Sequence, residues 1–501
     1  MERIGLIDLG SNTARLVVFD ILDGGYFCVV DEMRETVRLG EMEKDNVLKS
    51  SRMAQAISTL KLFQKVCEVQ KTDRIVAFTT AAVRMAKNQK TFLNEVFTAT
   101  GIRLRVLSEE EEATYIYQGV INSMDIPKGL IMEIGGGSTK LVYYNRRNIL
   151  HQEVLPFGEV TLSELGEKDS GEDHALVVEA FVKEQLSKVE WLQELEPEVQ
   201  LIGVGGTFRN LARISHKIKK VSMEMIHNYH ISSADFDNIY HMMKVLDIDK
   251  KVKIRGLSSL RADIFPSALS AIKAVMEYCH FDTIVTGSCA VREGMMFNYA
   301  VPQTLEKPIS DVLGHSLHTY MKKLHCDEAH GEQVFNLCVQ LFKQLRVLHK
   351  FPRSYVKILR TCALLCDAGL SFKFYKNQKH AAYVILNATL YGLSHHDIIV
   401  AAMVTDIYDR EDANVQDWAR YRDVLTDEDL DAVRKLAVIL RLAVALDKSR
   451  NGVVTEINCD ALGDSVIMKL ETQGDALLEL REAQKALGDF KKVFRKNLEI
   501  L

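Results

Sequence analysis

Two stretches in the first 150 residues share one pattern of apolar and polar positions. Gly5-Leu6-Ile7-Asp8-Leu9-Gly10-Ser11-Asn12-Thr13-Ala14-Arg15-Leu16-Val17-Val18 runs apolar into an acid, crosses a polar turn, and returns as a second apolar run. Ile131-Met132-Glu133-Ile134-Gly135-Gly136-Gly137-Ser138-Thr139-Lys140-Leu141-Val142-Tyr143 does the same and aligns with it without a gap. Asp8 falls on Glu133, Gly10 on Gly135, Thr13 on Ser138, Arg15 on Lys140 and Leu16 on Leu141. Each stretch predicts a β-hairpin with a polar tip, and the repeat predicts a duplicated α/β architecture. A third apolar run ends in Gly205-Gly206-Thr207 and leads into a basic helical pattern with Arg209, Arg213 and Lys217. Ser108 followed by Glu111 forms a capping-box pattern ahead of apolar residues at helical spacing, Ile116, Val120 and Ile121. From about 309 to 446 the spacing is helical throughout, as in Val334, Leu337, Leu341 and Leu345. The last fifty residues predict two strands, over 453–458 and 465–470, then an amphipathic helix from Ala476: a small β-β-α cap.

Composition narrows this picture. A chain of 501 residues is too long for one ordinary core. The 47% hydrophobic and 26% charged content is that of a folded, soluble protein. No leader or membrane-spanning run is expected, and the 9 scattered cysteines suit a reducing compartment, so the expected location is the cytoplasm. A net charge of -5 excludes a globally basic polyanion binder but leaves room for a local basic groove. Neither nucleic acid nor a membrane is expected as a partner.

The hairpin tips carry the chemistry. Glycine lets backbone N–H groups converge on an anion, and hydroxyls add donors. The acid at each tip cannot bind phosphate directly, so it suits a divalent cation or a positioned water. The turn Gly205-Gly206-Thr207 opens a basic helix, whose N-terminus suits a phosphate. No P-loop pattern is present. The run Glu109-Glu110-Glu111-Glu112 caps a helix, and crowding of four acids is expected to raise their pKa values toward those of useful bases.

Taken together, Asp8-Leu9-Gly10-Ser11-Asn12-Thr13, Thr79-Thr80-Ala81-Ala82-Val83-Arg84, Ser108 to Ala113, Gly135-Gly136-Gly137-Ser138-Thr139, Gly205-Gly206-Thr207, Arg261-Ala262-Asp263 and Arg292-Glu293-Gly294 resemble, in order, the motifs of the exopolyphosphatase/guanosine pentaphosphatase (Ppx/GppA) family. The resemblance implies two duplicated RNase H-like domains of the actin-like ATPase superfamily, 1–125 and 126–305. It implies that Glu112 is the base for the attacking water and that Asp8 and Glu133 hold Mg2+ or another divalent cation. Ser11, Asn12, Thr13, Gly136, Gly137 and Ser138 would cradle phosphates, and Arg84 would face the substrate. Three positions depart from the family pattern: Glu109 stands for Gly, Glu133 for Asp, and Lys140 for an acid.

The resemblance extends to a long form with an all-α HD-like domain, 306–450, and the cap at 451–501. Where HD hydrolases use His, His-Asp and Asp, this chain has His330, Cys366-Asp367 and Asp447, so that pocket is expected to be degenerate. The expected activity is hydrolysis of the terminal phosphoanhydride of inorganic polyphosphate, with release of orthophosphate. Guanosine pentaphosphate (pppGpp) is the alternative substrate, and a non-catalytic polyphosphate or (p)ppGpp sensor is the alternative of another class. A kinase reading fits the Glu112 region less well. The family precedent adds a homodimer.

Overall fold

The computed structural model describes residues 1–43, 45–165, 173–302, 308–409 and 415–501. It divides into two compact units, Met1–Ser310 and Asp311–Leu501. The expected boundary at 305/306 lies outside the described residues.

The first unit holds two sheets built on one plan. Strands β1 (Glu2–Leu9), β2 (Thr13–Leu22) and β3 (Tyr26–Thr36) form an antiparallel meander, followed by a two-residue pair, β4 (Met42–Glu43) and β5 (Val47–Leu48). β6 (Arg74–Thr79) and β7 (Leu104–Val106) extend the meander in parallel, in the order β3-β2-β1-β6-β7. The second sheet repeats this with β8 (Lys128–Ile134), β9 (Thr139–Asn145), β10 (Asn148–Leu155), β11 (Gln200–Val204), β12 (Tyr229–Ser232) and β13 (Thr283–Thr286). Its order is β10-β9-β8-β11-β13-β12, which is the same RNase H-like five-strand order with one antiparallel edge strand added. Helices cover these parallel cores, which is why β1, β8 and β11 read as near-continuous apolar runs.

The cores do not divide at 125/126. The helix Glu109–Ile121 precedes that point, yet its Ala113, Ile116, Val120 and Ile121 pack with Ile131, Val142, Ile202 and Val285 of the second sheet. The helix Val291–Ala300 comes last in the unit, yet its Met295 and Met296 pack with Ile4, Leu6, Phe19 and Phe78 of the first. The two helices cross at glycines. A Cβ on Gly294 would overlap the Tyr115 carbonyl, and one on Gly119 would overlap the Ala290 carbonyl. Chain order and core membership therefore differ, because each half lends its last helix to the other.

The second unit is helical up to Ala445 and then forms a sheet of β14 (Val454–Leu462), β15 (Ser465–Thr472) and β16 (Asn497–Ile500). The expected β-β-α cap needs correction. The single helix is two, Leu477–Gln484 and Leu487–Phe494, and the chain ends in a third strand pairing parallel with β15. Four residues with one buried side chain, Leu498, are too short to register as a strand. Among the described residues no helix is long and apolar enough to cross a membrane.

Candidate active site

The two hairpin tips are near copies in three dimensions. Gly10 N–H donates to Thr13 O at 3.1 Å, and Gly135 N–H donates to Ser138 O at 2.9 Å. Across the strands, Asp8 sits opposite Arg15 and Glu133 opposite Lys140. Each tip is braced from outside. The carbonyls of Ser11 and Asn12 accept from Val37, Arg38 and Gly40, and those of Gly135 and Gly136 accept from Glu159 and Val160. With their carbonyls engaged, the tips keep N–H groups and hydroxyls for an anion. Among the described residues, a Cβ on Gly137 would meet nothing within 4 Å. Ser138 Oγ is buried and makes no hydrogen bond among the described residues.

Glu112 lies under these tips, 7% exposed, on the first turn of the helix Glu109–Ile121. Its Oε1 accepts from Lys140 Nζ at 3.0 Å and its Oε2 from Arg84 at 3.2 Å. Arg84 also donates to Leu107 O at 2.9 Å and to Glu109 Oε1 at 3.0 Å. Glu109, which departs from the family pattern, thus holds the arginine expected to face substrate.

The expected rise in pKa from crowding is not met at Glu110 or Glu111. Successive helical positions diverge around the axis, and Glu109 and Glu112 share Arg84. Glu111 completes the capping box with Ser108 and pairs with Arg105. Backbone N–H groups of the helix start hold Glu110 and Glu111 below the usual carboxylate range.

The acids at the tips behave differently. Burial pushes the Asp8 carboxyl up to about 6, against the lowering influence of Arg292 and Arg15. Burial also raises Glu133, with Lys140 opposing. Glu133 Oε2 makes no hydrogen bond among the described residues, with Lys140 Nζ 3.7 Å away. For Lys140, burial works against the charge, but Glu133 and Glu112 outweigh it and hold the ammonium above the ordinary lysine value. Two hard carboxylates that burial leaves short of positive charge, one with an orphaned oxygen, suit a divalent cation. Chemically, Asp8 and Glu133 are each carboxylates of the kind that a hard divalent cation takes.

Gly205 opens the helix Gly205–Lys219 with φ +89°, and a Cβ there would lie 3.1 Å from Glu133 Oε1. Thr207 is placed differently from expectation. Its hydroxyl donates to Glu159 Oε1 at 2.8 Å, so only its backbone N–H is left for a phosphate. Glu159, buried, is also gripped by Arg261, whose guanidinium lies over Gly206. Arg209, one turn along the helix, has no hydrogen bond or ion pair among the described residues, and burial holds its pKa down to about 10. The Glu293 charge acts on Arg209 without a direct bond, and a guanidinium with unused donors can take an anion.

The sequence pointed to Arg209 only as part of the basic helix after the third glycine turn, carried Arg261 and Arg292 only as members of family motifs, and did not point to Glu159. Arg292 reaches Asp8 at 4.0 Å, Glu32 at 3.3 Å and Glu293 at 3.3 Å. The signal for Arg261 and Arg292 lay in their glycine-rich or acidic motif contexts, and that for Arg209 in its position one turn past the third glycine turn. Glu159 had none.

A profile of the Ppx/GppA phosphatase family matches residues 17–301, and one of the Ppx/GppA phosphatase domain III matches 314–488. A guanosine-5'-triphosphate,3'-diphosphate pyrophosphatase of Vibrio vulnificus (strain YJ016) is 26% identical over 479 residues, covering 93% of this chain and 91% of that one. The protein of the same name from Aeromonas hydrophila is 25% identical, with the same coverage. Among solved structures, an exopolyphosphatase from Cytophaga hutchinsonii superposes with TM-score 0.55 at 25% identity, covering 60% of this chain and 98% of that one. A Ppx/GppA family member from Aquifex aeolicus superposes with TM-score 0.55 at 24% identity over 61% of this chain and 99% of its own.

Proposed function

The chain belongs to the Ppx/GppA phosphatase family, hydrolases of phosphoanhydrides, and from that premise we propose that it removes the terminal phosphate of inorganic polyphosphate by direct attack of water. The observation that carries this reading is Glu112: a buried carboxylate fixed from both sides by Arg84 and by Lys140, the latter on the strand that follows the second glycine tip.

The terminal phosphoryl group lies against the N–H groups and hydroxyls of Ser11, Asn12, Thr13, Gly136, Gly137 and Ser138. The following phosphate meets the helix start at Gly205, Gly206 and Thr207, and Arg209 supplies the charge there. Each oxygen of Glu112 keeps a lone pair for water. Glu112 takes a proton from that water as its oxygen bonds to phosphorus and the bond to the bridging oxygen breaks. The shortened chain leaves with the electron pair and the terminal phosphate as orthophosphate. Asp8 and Glu133 would hold a divalent cation such as magnesium, which would supply charge neutralisation for the phosphoryl oxygens. The nine free cysteines support a reducing compartment, the cytoplasm.

A second reading, pppGpp as substrate, is favoured by the relatives of that activity that match over 93% of this chain. Salt separates the two. Each cation contact along an extended polyanion releases counterions, so long polyphosphate should lose apparent affinity with salt more steeply than pppGpp. Phosphate release from long polyphosphate, pppGpp and ATP is measured side by side, with KM against salt for the first two. The proposal expects turnover of polyphosphate with the steeper slope. Preference for pppGpp with equal slopes supports the second reading, and binding without release makes the chain a sensor.

A further inference from the structure

The second unit brings together a group of side chains that phosphate chemistry does not use. Three chain segments converge there: the start of the helix Glu328–Gln344 with His330, the end of the helix Val356–Leu365 with Cys366 and Asp367, and the residues after the helix Asp427–Ala445 with Asp447. One ligand atom each from His330, Cys366 and Asp367 lies within 4.8 Å of the other two. His330 and Cys366 are buried, and Asp367 is partly exposed, which gives the cluster a way in from solvent. We propose that His330, Cys366 and Asp367 form a binding site for a borderline-soft divalent ion of the zinc class, with a fourth position open to water.

The arrangement around the three is that of a metal site. The Nδ1 of His330 is bonded to Asp447 Oδ2 at 2.7 Å, which leaves Nε2 as the coordinating nitrogen. Asp447 is fully buried, and its other oxygen accepts from Gly452 N–H at 2.9 Å. A carboxylate that holds the far nitrogen of a histidine fixes the ring's tautomer and aim, and it makes the imidazole a better donor. The Cys366 sulfur makes no hydrogen bond among the described residues. Asp367 is bonded to Arg450 through Oδ2, so Oδ1 remains for a cation. Arg450 is itself tied to Asp327, whose other oxygen caps the His330 helix.

Charge and size agree. With an ion bound, Cys366 is a thiolate, its proton lost to solvent. The three negative charges of Cys366, Asp367 and Asp447 are then balanced by Arg450 and a dication. Bond lengths of about 2.0–2.3 Å in a tetrahedral zinc site put ligand atoms about 3.3–3.8 Å apart, so the cluster needs to contract by about an ångström. A sulfur and an imidazole among three ligands favour zinc over magnesium, and three protein ligands leave one coordination position open.

The full chain, stripped with a chelator and reloaded with Zn2+ or Co2+, tests this without any turnover assay. We expect about one equivalent of zinc per chain retained through desalting and undiminished by excess magnesium. The cobalt form should show a near-ultraviolet sulfur-to-metal charge-transfer band. Cys366→Ser should abolish that band, which singles out this thiol among nine. Asp447→Asn keeps all three ligands and should weaken zinc about 10–100-fold through the loosened histidine. Should Asp447→Asn fail to fold, Cys366→Ala decides alone, because it removes the sulfur without burying a new polar group. No stoichiometric retention by the wild type, or a band and affinity unchanged in the Cys366 variants, would overturn the proposal.

Discussion

At the residue scale the site is a set of buried charges held in tension. Burial raises Asp8 from 3.8 to about 6, so the folded chain binds this proton more tightly than the unfolded chain does. This group favours folding below about pH 4, and the contribution is lost as pH rises through about 6. At neutral pH the ionised carboxylate therefore costs stability, up to about 3 kcal/mol for a shift of this size. Asp8→Asn should raise the urea midpoint at pH 7.5 in the absence of divalent cations, should give no gain near pH 4, and should lose hydrolysis. Denaturation curves at the two pH values read the difference. Lys140 carries the opposite burden. Lys140→Gln leaves Glu112 and Glu133 facing one another without the ammonium, a change that typically costs about 3–5 kcal/mol at a buried pair. Magnesium should restore part of that loss and should bind the variant more tightly than the wild type. A denaturation midpoint that ignores magnesium would remove Glu133 from the cation site. Of these residues, Asp8 and Glu133 stood out in the sequence because two aligned acids are a local signal, whereas Glu112 was singled out only by the family resemblance. Lys140 was visible as a departure, but its bond to Glu112, 28 positions away, was not. Arg261 grips Glu159 across 102 positions, and no local pattern encodes that.

At the element scale the fold depends on two helices exchanged between halves. The crossing of Glu109–Ile121 with Val291–Ala300 is close because Gly119 and Gly294 have no side chains to hold it open. Glu112 rides on the first of these helices, so the crossing also sets the position of the base. Gly294→Ala forces the helices apart, and overpacking of this kind costs about 1–3 kcal/mol or more. We expect a lower denaturation midpoint together with reduced turnover, since the base moves with the helix. A midpoint equal to that of the wild type would show that the crossing has slack. The hairpins were readable because period-two alternation and a glycine tip are short-range signals. The exchange was not, because both helices are amphipathic and the sequence does not say which sheet an apolar face meets. The final strand, Asn497–Ile500, was missed for its brevity, and the break after Gln484 because neither proline nor glycine marks it.

At the scale of the whole molecule, the repeated five-strand order shows that the gapless alignment of two short segments reported a duplication of entire sheets. Each copy supplies one tip, and the base comes from a helix that leaves one half to pack on the other. A net charge of -5 is compatible with a polyanionic substrate because the local field decides binding, and Arg84, Lys140 and Arg209 lie at the site. The account stands on Glu112 as the group that takes the proton from water. Glu112→Gln keeps the shape and the link to Arg84 but removes proton acceptance, and such a loss typically lowers rate about 10²–10⁴-fold. The direct measurement is orthophosphate release from long-chain polyphosphate and from pppGpp by wild type and by Glu112→Gln, with circular dichroism confirming the fold of both. The account predicts release by the wild type and a fall of that size in the variant on whichever substrate is used. Undiminished release by the folded variant would contradict it.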